Sequence, residues 1–173
     1  DLANWDTLIK TTGKKPDLNA YVEEIKAQNL RNSVYVDNTA SYEVASKYEE
    51  MLEKHISVVT PNKVANASEY KRYSRIHALA AETGARFYYE TNVGAGLPVI
   101  GTLKDLIKSG DKIIKIEAIL SGSLNYIFSN CSTTKDFATT VKEARQKGYT
   151  EPDPKIDLAG KDVARKILIL SRE

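Results

Sequence analysis

The sequence predicts an α/β fold built on a parallel sheet, and three observations carry that prediction. Helical and strand periodicities alternate along the first 110 residues. The predicted strands are short and rich in β-branched or aromatic residues. They end in "DNT", "TPNK" and "ETNVGAG", polar or small stretches at the edge where parallel sheets bind ligands.

The elements follow in order. "LNAYVEEIKAQNL" sets Leu18, Val22, Ile25 and Leu30 at roughly helical spacing with charges between them, which predicts a helix. "SVYVDNT" alternates and predicts a strand over 33–37. "SYEVASKYEEMLEKH" reads as one helix capped by Ser41. "ISVVT" is a short buried strand ending at Thr60, broken by Pro61 and Asn62. "SEYKRYSRIHALAAETG" is a long helix stopped by Gly84. "RFYYE" is a strand over 86–90, followed by the turn "TNVGAGLPVIG" and the helix "LKDLIKSG". The character then changes. "KIIKIEAILSG" predicts a long alternating strand over 112–121, with one face covered by another layer. "SLNYIFSN" is a short helix entered at Ser121 or Ser123, and "TKDFATTVKEARQKG" an amphipathic helix ending at Gly148. Asp157 is placed as the cap of a helix beginning at Leu158. A domain boundary near residue 98 divides the chain into 1–98 and 99–173.

Composition narrows the function classes. With 42% hydrophobic and 28% charged residues, the 173-residue chain can form a core, and disorder is not indicated. The net charge of +2 comes from 25 basic and 23 acidic residues, well mixed, so no basic block implies nucleic acid. Apolar runs are only a few residues long, so no membrane span is expected. A lone Cys131 excludes a disulfide within the chain and fits a cytoplasmic protein. Two histidines and one cysteine cannot make a His/Cys zinc site of the usual form. The opening "DLANWDTLIK" does not read as a first core strand, and "ARKILILSRE" stops within a helical pattern. An internal piece of a longer polypeptide is therefore expected.

Four stretches can carry chemistry. In "VVTPNK", Pro61 holds Thr60 extended and puts Lys63 just past a strand end. That lysine can meet a phosphate, polarise a carbonyl, or stand as a solvated turn residue. In "ETNVGAGLP", Gly94 and Gly96 permit a tight turn whose carbonyls could converge on a monovalent cation beside Glu90, or which simply crosses between domains. In "SGSLNYIF", Gly122 and Ser123 stand at a strand-to-helix turn that suits a carboxylate or phosphate, or an ordinary cap. "GYTEPDPKIDLAGKDVARK" sets Glu151, Asp153, Asp157 and Asp162 before a helix ending in "ILIL". There Asp162 and Lys166 are i,i+4 neighbours, either a half-buried pair in a site or a surface pair worth a few tenths of a kcal/mol.

Taken together, "VVTPNK", "TNVGAGLPVI", "ILSGSLNYIF" and "GYTEPDPKIDLAGKDVARK" resemble homoserine dehydrogenase, in the family's order and over nearly the whole chain. The wording of 90–130 and 148–173 is most similar to the dehydrogenase half of bifunctional aspartokinase–homoserine dehydrogenases. No G-x-G-x-x-G turn stands in the chain. The resemblance implies the later part of a Rossmann-like parallel sheet, followed by part of an α+β catalytic and dimerisation domain. It implies NAD or NADP, a small-molecule substrate, and a homodimer or higher homo-oligomer. It implies interconversion of L-homoserine and L-aspartate 4-semialdehyde by the parent enzyme. The chain by itself is expected to be inactive for want of the cofactor turn. By the same resemblance Lys166 handles the proton and Lys63 lies between cofactor and substrate. Glu151, Asp162 and Asp157, with Tyr149, Gly122 and Ser123, line the substrate pocket. Thr39 and Gly148 touch the cofactor, and Glu90, Val93, Ala95 and Leu97 hold a sodium ion. Two rival readings are a non-catalytic α/β assembly or regulatory module, and another NAD(P)-dependent amino-acid semialdehyde dehydrogenase.

Overall fold

The computed structural model describes residues 2–173. The chain forms two compact units, one ending at Ser33 and one spanning Val34–Glu173. The first holds a short 3₁₀ turn and two helices, α1 (Trp5–Thr12) and α2 (Leu18–Gln28). Asp17 starts α2 by accepting a hydrogen bond from the Ala20 N–H at 3.0 Å, and Asn29 ends it in the left-handed conformation at φ 44°.

The second unit is an α/β assembly. Three parallel strands lie in the order β1 (Val34–Val36), β2 (Ser57–Val59), β3 (Phe87–Tyr88). Helices alternate with them: α3 (Tyr42–Ala45), α4 (Tyr48–Glu53) and α5 (Tyr70–Thr83). Tyr48, Met51 and Leu52 share one face of α4 at i, i+3 and i+4, and with Val58 and Ile76 they are fully buried. A second core joins Tyr89, Val93 and Ile100 to Ile169 and Leu170. It packs α6 (Ile100–Lys108) and α10 (Lys161–Leu170) together. Between them in sequence come α7 (Gly122–Asn130), α8 (Phe137–Gln146) and α9 (Pro154–Leu158). Among the described residues, no helix is long and apolar enough to cross a membrane.

Helix α10 is also fastened by polar contacts. Arg172 donates to the carbonyls of Asn66 at 2.5 Å and Ser68 at 2.8 Å. Arg165 donates to the Tyr42 hydroxyl at 2.5 Å.

Three expectations need correction. The single helix over 41–55 is two, α3 and α4, because the Ser46 hydroxyl donates to the Glu43 carbonyl at 2.6 Å and competes with the backbone ladder. The strand over 112–121 is absent: residues 111–121 carry no helix or strand. A strand exists only as a paired ladder, and among the described residues no segment pairs with this one, so Ile114 is 96% exposed. Asp157 does not cap a helix at Leu158. Asp153 caps α9, accepting from the Lys155 N–H at 3.1 Å with Pro154 just inside, and Asp157 lies within that helix.

Candidate active site

The C-terminal ends of β1 and β2 meet in a buried polar network. Asp37, directly after β1, is only 2% exposed. One of its carboxylate oxygens accepts from the Thr39 N–H at 2.7 Å. The other accepts from the Tyr48 hydroxyl and, at 3.0 Å, from the Asn62 amide. Asn62 also donates to the Ser41 carbonyl at 3.0 Å and accepts from the Val64 N–H at 3.0 Å. Burial alone would raise the Asp37 pKa, but the hydrogen bonds from Tyr48, Thr39 and Asn62 outweigh it and hold the carboxyl below its ordinary value. Burial and the neighbouring carboxylate push the Tyr48 phenol well up, so it stays protonated and donates. Thr39 and Lys63 stand on the two loops that this network pins.

Lys63 reaches across to α10. Its Nζ lies 3.3 Å from one Asp162 oxygen, and Lys166 Nζ lies 2.7 Å from the other. Two lysines more than a hundred residues apart therefore share one carboxylate. Lys166 also donates to the Leu120 carbonyl at 2.7 Å. The Lys63 and Lys166 side chains are 24% and 19% exposed, against 58% for Asp162, so the cations are the more sheltered partners. Burial would raise the Asp162 pKa, but Lys166 and Lys63 together bring it below the ordinary carboxylate value.

A second cluster adjoins the first through the turn after Leu120. Ser121 caps α7, and its hydroxyl lies 3.0 Å from that of Ser123. The Ser123 hydroxyl donates to one Asp157 oxygen at 2.7 Å, and the Glu151 N–H donates to the other at 2.9 Å. Asp157 thus ties Gly122–Ser123 to the start of the acidic stretch, and the Glu151 side chain is exposed. Tyr149 stacks on Tyr126, with ring centroids 4.6 Å apart, and Gly148 sits in the left-handed region at φ 73° just past α8.

Glu90 lies apart from both clusters. Its two oxygens accept from the N–H groups of Ile100 at 2.9 Å and Gly101 at 2.7 Å, capping α6. The intervening turn is closed by Leu97 N–H to Gly94 O at 2.9 Å, with Ala95 at φ 52° and Val93 fully buried. A carboxylate and backbone carbonyls are the donor type that a hard monovalent cation takes.

Sequence reasoning missed Asp37, Tyr48 and the role of Asn62. The one available signal is an aspartate as the last residue of the strand predicted over 33–37. It also missed a buried chain from Thr60 O through Asn92 and Asn66 to His77, with links of 2.9, 3.0 and 3.1 Å. Burial, helped by the Lys104 and Arg172 charges, lowers the His77 pKa to about 4, so the imidazole is neutral.

With this geometry in place, similarity to known proteins can be set beside it. The homoserine dehydrogenase family description matches residues 98–173, and that of the homoserine dehydrogenase NAD binding domain matches residues 2–90. The chain is 47% identical over 174 residues to bifunctional aspartokinase/homoserine dehydrogenase 1, chloroplastic, of Arabidopsis thaliana, covering 100% of this chain and 19% of that one. It is 46% identical to the homoserine dehydrogenase of Schizosaccharomyces pombe, covering 99% of this chain and 47% of that one. A hyperthermophilic archaeal homoserine dehydrogenase solved in complex with NADPH superposes with a TM-score of 0.78 at 31% identity, over 98% of this chain and 54% of that one. The chain therefore spans about a fifth of the bifunctional relatives and about half of the fission-yeast one.

Proposed function

The chain belongs to the homoserine dehydrogenase family, and on that premise we propose that it forms the substrate-facing part of an enzyme interconverting L-homoserine and L-aspartate 4-semialdehyde. The observation that carries the reading is the convergence of Lys63 and Lys166 on Asp162. One carboxylate between two ammonium groups leaves the cluster net positive. Such a cluster favours a substrate oxygen on which negative charge develops. Lys166 has three N–H donors, of which the Leu120 carbonyl and Asp162 take two, leaving one for that oxygen. Lys166 handles the proton at that oxygen as hydride moves. In the reductive direction its ammonium donates that proton to the developing hydroxyl. Glu151 is left to meet the α-ammonium, with Asp162 and Asp157 adding negative charge nearby, and Tyr149, Gly122 and Ser123 line the same pocket.

Thr39, Lys63 and Gly148 are the residues of this chain that would hold NAD(P), which would supply the hydride acceptor or donor at the substrate carbon. Thr39 is suited to that role, being exposed beside a strand end. Its Oγ accepts from the Ser41 N–H at 3.0 Å, which fixes the hydroxyl at that strand end. Glu90, Val93, Ala95 and Leu97 are the residues that would hold a sodium ion. On this reading residues 1–98 belong to the nucleotide-binding domain and 99–173 to the catalytic domain. A segment over 111–121 that joins no strand ladder among the described residues, with Ile114 and Ile119 exposed, supports assembly as a homodimer or larger homo-oligomer. The exposed free thiol of Cys131 suits a reducing compartment such as the cytoplasm.

The test is nicotinamide reduction by the full-length polypeptide that carries these residues. Turnover is expected with L-homoserine and not with 4-hydroxybutyrate, which lacks the ammonium and leaves the carboxylates unpaired. Equal turnover on both compounds points to a different semialdehyde enzyme, and no turnover on either points to an assembly module.

A further inference from the structure

We propose that Asp37 is a positioning residue: through Asn62 it clamps the loop carrying Thr39 to the turn carrying Lys63, so that the two are set as one piece. The inference rests on the dehydrogenase reading and adds to it a residue that touches neither substrate nor cofactor.

Three donors converge on Asp37: the Thr39 N–H at 2.7 Å, the Asn62 amide at 3.0 Å and the Tyr48 hydroxyl. A carboxylate satisfies all three because it only accepts. An amide of the same size cannot, since its NH₂ would face a donor. Asn62 extends the clamp in two directions. Its second amide hydrogen goes to the Ser41 carbonyl at 3.0 Å, holding the far side of the Thr39 loop. Its carbonyl oxygen accepts from Val64 N–H at 3.0 Å, and its own N–H donates to the Thr60 hydroxyl at 2.8 Å. The Lys63 carbonyl accepts from Ala67 N–H at 2.8 Å. The backbone is therefore fixed on both sides of Lys63, and its side chain leaves a rigid base to reach Asp162 at 3.3 Å. Residues 60, 62 and 64 are all nearly buried, so water does not substitute for these bonds.

The test uses three variants of the full-length protein. Asp37→Asn keeps the volume and sets an NH₂ against either the Thr39 N–H or Asn62 and Tyr48, so one side of the clamp is lost in either orientation. Asn62→Ala removes the bridge while leaving Tyr48 on Asp37. Tyr48→Phe weakens the same buried network but leaves both loops tied. Each is expected to lower the thermal midpoint by a few degrees. Asp37→Asn and Asn62→Ala should lower kcat of the folded enzyme by roughly 10- to 100-fold, the scale of a displaced catalytic group. Tyr48→Phe should keep kcat within threefold. Should Asp37→Asn fail to fold by circular dichroism, Asn62→Ala gives the same reading. Folded Asp37→Asn or Asn62→Ala with near-parental kcat overturns the clamp, as does a Tyr48→Phe loss equal to theirs, which would mark a general weakening of the core. A parental protein inactive on homoserine sinks the dehydrogenase reading instead, so the two failures are distinct.

Discussion

Residues 34–110 and residues 111–121 are both rich in branched apolar side chains, and they end in opposite states. In the first stretch Val58 and Ile76 are fully buried, and each strand has a neighbour in parallel register. In the second, Ile114 and Ile119 are 96% and 75% exposed, and the segment joins no strand ladder among the described residues. The difference lies in where the partner comes from. A βαβ unit supplies its own neighbouring strand about 25 residues along the chain. The 111–121 segment finds no such neighbour nearby, so a correct alternating pattern does not become a strand.

The largest effect is expected at Lys166, whose ammonium hangs on the last apolar residue of the 111–121 segment through the Leu120 carbonyl. In the full-length protein Lys166→Ala should lower kcat by roughly 10²–10⁴ with a much smaller change in KM, read from steady-state kinetics. Near-parental kcat in the folded variant would shift proton transfer to Lys63 or water. A paired measurement tests the two stretches directly. Ile76→Ala, in the buried stretch, should cost about 2–5 kcal/mol in urea denaturation, whereas Ile114→Ala should stay within about 0.5 kcal/mol. An equal loss at Ile114 would mean that its segment is packed after all.

His77 gives a smaller, pH-dependent handle on the sheet half. Its folded pKa is depressed to about 4 from 6.5. Between those values the unfolded chain binds a proton that the folded chain refuses. Stability is therefore complete above pH 6.5 and falls as the pH drops towards 4, by no more than about 1.4 kcal/mol per unit. His77→Gln should flatten that slope in denaturation curves measured from pH 4 to 7. Smallest is Gly84→Ala. The glycine ends α5 at φ 73° with open space around it, so the substitution should cost about 1 kcal/mol from backbone strain alone.

Much of this fold could be read from short-range patterns. β1 and β2 fall within a residue or two of expectation because their alternation and flanking breakers are local. Ser41, Ser121 and Gly84 stop or start helices where their chemistry says they should. The break between α3 and α4 was not legible, because it turns on one hydroxyl, Ser46, choosing a carbonyl. The site divides in the same way. Asp162 and Lys166 are four residues apart on a helix, and their pairing follows from its pitch. The approach of Lys63 to Asp162 spans ninety-nine positions, and no periodicity encodes it. Asp37 is not legible, because nothing local tells an aspartate that closes a predicted strand from one that gathers donors from Tyr48 and Asn62.

The fastening of α10 has a kinematic consequence. Asp162, Arg165 and Arg172 attach the helix to Lys63, to Tyr42, and to the carbonyls of Asn66 and Ser68. Attachment points spread along the whole length of a rod, to several different loops, suppress both sliding and pivoting. The two lysines therefore share a frame with the sheet, and no hinge runs between them.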